Sequence, residues 1–354
     1  MAGERSDIGS ILAKTIPFLA GKGIPSPRLE ADLLLAKVLD LPRVKLYSQW
    51  DRELTLVELE NYREIIRKRI QGWPYAYLTG KKAFLSWEFN VTPAVLIPRP
   101  ETELLVEVVV DWVNQQPQNR PQLESIAPTD NAEEPEDAGC LVDGERPQDV
   151  ERLADVKCLK EPEEFIDPNQ TDEHNHSKVQ SLPEIRGVDV GTGSGIIAIS
   201  LAKLLPQSNW DALEISETAL EVARENAGNL GVTDRIRFQS GDLLAPFFHT
   251  SAELKFDLIV ANPPYIPTAE ISSLSVEVQK EPILALDGGS DGLDIYRKLL
   301  PQALPLLADN GIIAFEHGHD QRVPLEELAT GLGLSCTSFA DLSGRDRVML
   351  CQKV

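Results

Sequence analysis

The richest chemistry lies in Ile259-Val260-Ala261-Asn262-Pro263-Pro264-Tyr265, where an apolar run ends in a carboxamide, two prolines and a phenol. Consecutive prolines hold φ at about −65° and remove two backbone donors. The Asn262 side-chain oxygen and the Pro263 carbonyl then stand as two acceptors, with Tyr265 as an aromatic wall. That set suits a planar group carrying NH2 on an sp² carbon: two acceptors take its two N–H bonds while the ring covers its face. Asn262, Pro263 and Tyr265 are therefore candidate catalytic residues, and Asn262, Pro263, Pro264 and Tyr265 candidate substrate contacts. A rigid Pro-Pro turn alone would leave the polar and aromatic flanks without a purpose.

Three other segments have residues suited to an adenosine-bearing ligand. In Asp189-Val190-Gly191-Thr192-Gly193-Ser194-Gly195 the glycines allow a sharp strand-to-helix turn and close approach of a ligand, with N–H groups at the helix start facing it. The third glycine comes one residue earlier than in the dinucleotide fingerprint. Glu214, at the end of the next strand-like run, is placed to accept hydrogen bonds from two ribose hydroxyls, with Asp211 as a rival. In Gly241-Asp242-Leu243 the carboxylate of Asp242 could take an exocyclic amine and Leu243 could lie on a ring, although a plain helix cap fits as well. Asn262 also borders this ligand. None of these segments contains a histidine; His317 and His319 follow the Gly311–Glu316 run and carry no assigned step.

These residues need a scaffold that sets them side by side. Strand-like runs at Gly187–Val190, Trp210–Ile215, Ile236–Ser240, Phe256–Ala261, Gly311–Glu316, Leu334–Phe339 and Arg347–Cys351 alternate with helical runs across the first five. Such alternation predicts a parallel sheet covered on both faces. Only Ala340–Asp346 joins the last two runs, so the final strand is expected to be antiparallel. Residues 1–72 read as short helices: Ser26-Pro27 as a cap followed by proline at the first helical position, and Thr55-Leu56-Val57-Glu58 as a capping box. Residues 73–97 read as a β-hairpin connector and 98–354 as the catalytic domain.

The 354 residues carry 34 Lys/Arg against 56 Asp/Glu, a net charge of −22, which argues against wrapping nucleic acid phosphates. Half of that deficit falls in residues 115–183, with 17 acidic and 6 basic residues. The stretch is poor in aromatics and is expected to be a disordered acidic insertion, passive or able to dock on a basic partner. Its Cys140, Cys158, His174 and His176 lack metal-ligand spacing, so no metal is expected. The four cysteines read as reduced thiols, the polar start does not read as a signal peptide, and no apolar run is long enough to span a bilayer. A cytoplasmic monomer is expected.

The order of these segments resembles class I S-adenosylmethionine-dependent methyltransferases, and most closely the HemK/PrmC family of protein-(glutamine-N5) methyltransferases. Tyr77-Leu78-Thr79-Gly80, Leu96-Ile97-Pro98-Arg99-Pro100-Glu101-Thr102-Glu103, Glu281-Pro282-Ile283-Leu284-Ala285-Leu286-Asp287-Gly288-Gly289, Asp291-Gly292-Leu293 and Gly344-Arg345-Asp346-Arg347-Val348 match that family. The resemblance covers nearly everything outside 115–183. It departs at Glu214, where the family usually has Asp, and at the insertion itself. It implies a Rossmann-like, mostly parallel seven-stranded sheet with an antiparallel last strand and a small N-terminal helical domain. It implies S-adenosyl-L-methionine as cofactor and, as substrate, the glutamine of the Gly-Gly-Gln loop in class 1 peptide chain release factors, with the helical domain contacting the factor's body. The Arg-Pro-Glu-Thr-Glu form favours this group over the ribosomal-protein glutamine methyltransferases. A DNA adenine-N6 methyltransferase would share Asn-Pro-Pro-Tyr but need a basic groove and a flipped-base pocket. A non-catalytic cofactor sensor would not need the acceptors of Asn262 and Pro263.

Overall fold

The computed structural model describes residues 6–116, 184–248 and 254–354; most of the acidic stretch, with Cys140, Cys158, His174 and His176, lies outside the described residues. The N-terminal segment folds as α1 (Ile8–Gly21), α2 (Pro27–Leu39), α3 (Arg43–Ser48) and α4 (Leu56–Ile70) around Leu12, Leu19, Leu34, Leu35 and Tyr62. The α4 start is a full capping box: Thr55 Oγ1 accepts from Glu58 N, and the Glu58 carboxylate accepts from Thr55 N. At α2, Ser26 takes the cap position before Pro27, but its side chain makes no capping bond.

Between residues 73 and 97 lies a short helix, α5 (Tyr75–Thr79), that the apolar pattern does not reveal, and then the expected hairpin of β1 (Lys81–Phe84) and β2 (Trp87–Asn90). Its tight turn puts Leu85 at φ 50°, and Glu103 accepts a hydrogen bond from the Leu85 N–H at 2.8 Å. Glu103 belongs to α6 (Glu101–Gln115), so the hairpin is fastened to the start of that helix.

The sheet comprises β3 (Ile185–Val190), β4 (Ser208–Glu214), β5 (Ile236–Ser240), β6 (Phe256–Ala261), β7 (Leu307–Glu316), β8 (Leu334–Ala340) and β9 (Asp346–Lys353), in the order β5-β4-β3-β6-β7-β9-β8. β9 is antiparallel to both neighbours, as expected, and the first five strands pair in parallel. Period-two alternation sends Leu258 and Val260 into one core with α6 and α7 (Ile196–Leu204), and Ile259 and Ala261 into another with α9 (Asp294–Ala303) and α10 (Arg322–Gly331). α8 (Glu217–Leu230) follows β4. Helices do not separate all of the first five strands. Among the described residues β5 leads towards β6 through a 3₁₀ turn at Ala245–Phe247 only, where Pro246 sits inside the turn.

The cysteine expectation also needs correction. Cys336 and Cys351 form a disulfide between β8 and β9. They are 15 residues apart in sequence but directly opposite in the antiparallel register, where Cα atoms approach to 4.2 Å. Spacing alone carries no trace of that pairing. Among the described residues no helix is long and apolar enough to cross a membrane, and no cluster of His, Cys, Asp and Glu could hold a metal.

Strand order reverses between β3 and β6. β3 runs on to β4 on one side, whereas β6 returns on the other. In open α/β sheets that switch point leaves a crevice at the carboxyl ends of the strands. The Asp189–Gly195 turn, Glu214 and Asn262 all emerge there.

Candidate active site

A cavity of about 250 Å³ opens at this switch point. It is lined by Gly191, Thr192, Gly193 and Ser194 after β3, by Glu214 and Ile215 after β4, by Asp242 and Leu243 after β5, and by Asn262, Pro263 and Pro264 after β6. Thr102 and Arg99 close one side, and Pro282, Leu284 and Ala285 another. The four sequence segments therefore converge on one space.

The glycine turn is shaped from below. Gly191 N and Thr192 N both donate to the Leu213 carbonyl, at 2.8 and 2.9 Å. Thr192 Oγ1 donates to Asp189 Oδ2 at 2.6 Å, and Ala198 N donates to the same oxygen at 3.1 Å. Gly193 N donates to Glu214 Oε2 at 3.0 Å. The N–H groups of Gly191, Thr192 and Gly193 are thus used within the protein, so the turn offers a ligand less donor capacity than its glycines suggest. Gly195 is required sterically: its φ is 85°, and a Cβ there would come within 2.7 Å of Ile199 Cδ1 and 3.2 Å of Ala223 Cβ.

Asp189 is fully buried, and burial pushes its carboxyl up to about 7 against the opposing bonds from Thr192 and Ala198. Its Oδ1 has no hydrogen-bond partner. Glu214 keeps its position through two backbone donors, Gly193 N on one oxygen and Ser216 N on the other, both at 3.0 Å. Asp211 is not its rival: it lies mid-strand, buried, with Arg186 and Arg237, and does not line the cavity. Asp242 is exposed at the rim, and Leu243, at φ 50°, packs partly onto the core.

At the β6 end, Asn262 Nδ2 donates to Thr102 Oγ1 at 3.1 Å. Among the described residues neither Asn262 Oδ1 nor the Pro263 carbonyl accepts a protein hydrogen bond, so the two expected acceptors are free. Tyr265 departs from expectation. It does not line the cavity; its ring packs on the core beneath and its hydroxyl donates to Glu316 Oε1 at 3.3 Å. The cause is the close packing behind the loop. Gln321 Nε2 donates to the Tyr265 carbonyl at 2.9 Å, and Gly292 sits so near that carbonyl that no Cβ would fit.

Sequence reasoning missed several contributors. Glu316, at the end of β7, is 1% exposed and joins Thr102 Oγ1 (2.6 Å) to Tyr265. Glu281, also buried, accepts from Ile97 N at 3.0 Å and from Arg99, and so holds the segment entering α6 against the loop after Tyr265. Thr102 and Glu281 lie inside the quoted motifs, but spacing could not show what they touch. His317 is buried, with Nδ1 on the Gly318 carbonyl, and does not line the cavity. A second cleft of about 770 Å³ lies between the N-terminal helices and Ser275–Glu281; Lys37, Arg43, Tyr75 and Lys81 line it, and Arg99 lines both spaces.

The residues fit an S-adenosylmethionine-type ligand. Gly191 lines the cavity and a Cβ there would meet no protein atom within 4 Å, Glu214 presents a carboxylate beside it, and Ile215, Leu243 and Leu284 supply apolar surface.

Comparison with known proteins places the chain further. Residues 10–80 match the family described as PrmC N-terminal domain, and residues 172–279 that described as methyltransferase small domain. The release factor glutamine methyltransferase of Moorella thermoacetica is 36% identical over 344 residues, covering 97% of this chain and 97% of that protein. That of Chlorobaculum tepidum is 35% identical over 342 residues, covering 96% and 95%. Among solved structures, the ribosomal protein L11 methylase from Lactobacillus delbrueckii subsp. bulgaricus is 25% identical, with a TM-score of 0.36, over 49% of this chain and 72% of that chain.

Proposed function

The chain belongs to the release factor glutamine methyltransferase family, and from that premise we propose that it methylates the side-chain nitrogen (N5) of the glutamine in the Gly-Gly-Gln loop of class 1 peptide chain release factors, with S-adenosyl-L-methionine as donor. The observation that carries this reading is the pair of free acceptors, Asn262 Oδ1 and the Pro263 carbonyl, at the edge of a cavity that also contains Glu214 and the glycine turn.

Gly191, Thr192, Gly193, Ser194, Glu214, Asp242 and Leu243 would hold the cofactor, which supplies an electrophilic methyl group on a sulfonium. Gly195 shapes the turn from behind. An amide nitrogen is a weak nucleophile because its lone pair is delocalised into the carbonyl, so alignment is the main demand on the protein. Effective molarities from such alignment can offset about 7–11 kcal/mol of barrier. Asn262 Oδ1 and the Pro263 carbonyl accept the two amide hydrogens, orient the nitrogen and stabilise positive charge as it grows there. Pro264 holds the turn. Tyr265, facing the core, anchors the loop from below through Glu316. The alkylated amide is strongly acidic and passes its proton to water, so the site needs no base of its own. The cleft that shares Arg99 with the cavity is suited to the body of the protein substrate.

The test is incubation with radiolabelled S-adenosylmethionine and, separately, a release factor, ribosomal proteins and DNA. Label is expected on the release factor alone, and lost in Asn262→Ala with S-adenosylhomocysteine affinity kept. Label on ribosomal protein or DNA in preference to release factor would overturn the assignment.

A further inference from the structure

A carboxamide is nearly symmetric in shape, and only one of its two orientations presents an acceptor to the substrate. We propose that Thr102 and Glu316 act as positioning residues that fix the Asn262 amide with its oxygen towards the reacting centre. The inference rests on the function proposed above.

Thr102 is fully buried and its hydroxyl carries one proton. Oγ1 lies 2.6 Å from Glu316 Oε2. Burial raises the Glu316 carboxyl to about 7; above that pH it is ionised and only accepts, so Thr102 donates to it. With its proton committed, Oγ1 can only accept from the amide at 3.1 Å, and that neighbour must therefore be Asn262 Nδ2. Oδ1 is then turned to the cavity. The other Glu316 oxygen takes the Tyr265 hydroxyl at 3.3 Å, which stops the carboxylate from rotating and ties the same loop a second time. The parts come from three distant places: the first turn of α6, the end of β6 and the end of β7. Without Glu316, the Thr102 proton would be free to go to Asn262 Oδ1, and the amide would show its NH2 to a substrate that is itself a donor.

The experiment uses the full chain, at a pH above the Glu316 value of about 7, with Thr102→Val, Thr102→Ser and Glu316→Gln. Thr102→Val keeps the shape and removes the hydroxyl. Its kcat is expected to fall at least tenfold, with S-adenosylhomocysteine Kd within threefold of wild type, and Thr102→Ser should return kcat to within threefold. Glu316→Gln, which can donate to Thr102, is expected to lower kcat in the same way. A Thr102→Val kcat within twofold of wild type would overturn the proposal. So would a Thr102→Ser variant as impaired as Thr102→Val, because the methyl packing would then be what matters. Should Thr102→Val fail to fold, Glu316→Gln and Thr102→Ser decide alone. A second readout needs no turnover: in ¹⁵N-labelled protein with S-adenosylhomocysteine, the Asn262 side-chain NH2 should be protected from solvent exchange in wild type and Thr102→Ser and lose protection in Thr102→Val. A wild-type enzyme inactive on release factors would remove the proposed function while leaving the orientation claim to this measurement, and an unprotected wild-type amide would remove the orientation claim.

Discussion

Glu214→Ala separates the cofactor's binding from its chemistry. The carboxylate accepts from Gly193 N and Ser216 N, one per oxygen. A carboxylate offers about four acceptor positions, so about two remain for a ribose diol. Hydrogen bonds to a charged group contribute about 1.5–3 kcal/mol each. Losing two costs about 3–6 kcal/mol, or about 10² to 10⁴ in affinity at 1.4 kcal/mol per factor of ten. Truncation also frees the Gly193 N–H and loosens the turn, which works in the same direction. Glu214→Asp is one methylene shorter. It can keep the bond to the N–H two residues on, an Asx-type turn, but cannot also reach Gly193, so a loss of about tenfold or less is expected. Asp211→Asn should leave affinity alone, because that carboxylate is engaged by Arg186 and Arg237 away from the cavity. Calorimetry with S-adenosylhomocysteine reads all three. A Kd for Glu214→Ala within threefold of wild type would refute the assignment.

Gly195→Ala forces a Cβ against Ile199 and Ala223 at φ 85°; a cost of about 1–3 kcal/mol and weaker cofactor binding are expected by thermal melting and calorimetry, and an unchanged melt would show that the turn relaxes freely. Arg69 is 4% exposed and pairs with Glu30 on α2 and with Glu277 in the loop that leads to Glu281. Arg69→Met should destabilise by about 3 kcal/mol in urea, chiefly through the uncompensated Glu30, and a change under about 1 kcal/mol would remove it as a structural hub. Burial raises Glu316 from 4.5 to about 7 and Asp189 from 3.8 to about 7. A raised carboxyl favours the fold below its unfolded value, and that contribution is lost as pH rises through about 7. Glu316→Gln should therefore flatten the fall in stability between about pH 4.5 and 7, by up to about 3 kcal/mol at about 1.4 kcal/mol per unit; identical slopes for mutant and wild type would contradict this.

What the sequence discloses about this site is whatever is local. The Asp189–Gly195 turn, Glu214 and Asn262–Pro264 each follow an apolar run, and a parallel sheet delivers the ends of such runs to one edge. Their convergence on one cavity is thus a consequence of strand periodicity. What stays hidden is non-local. Thr102 and Glu316 are 214 residues apart, and Ile97 and Glu281 184 apart, so no spacing rule links them. Tyr265 illustrates the same limit. Its place after two prolines reads as part of a pocket wall, but Gln321 and Gly292, from other segments, hold its backbone and its hydroxyl finds Glu316. Cys336 and Cys351 meet only because a hairpin sets their register.

The charges around the cavity narrow the substrate on grounds independent of relatives. Arg99, Glu214 and Asp242 are the charged residues that line it, and Arg99 is already neutralised by Glu281. Two carboxylates are left facing the space. A cationic ligand gains from that field, and a sulfonium whose ammonium and carboxylate groups offset one another, leaving one net positive charge, is such a ligand. A nucleic acid strand threaded to the same point would need cations for its phosphates; in the adjoining cleft Arg43 and Lys81 are committed to Asp32 and Glu88, which leaves Lys37 and Lys82 outside any ion pair among the described residues. A neutral carboxamide on a flexible protein loop brings no charge to repel and needs only the two acceptors that Asn262 and Pro263 leave free. The charge of the cavity itself thus suits a neutral amide, while the Asn-Pro-Pro-Tyr loop could orient either an amide or an adenine.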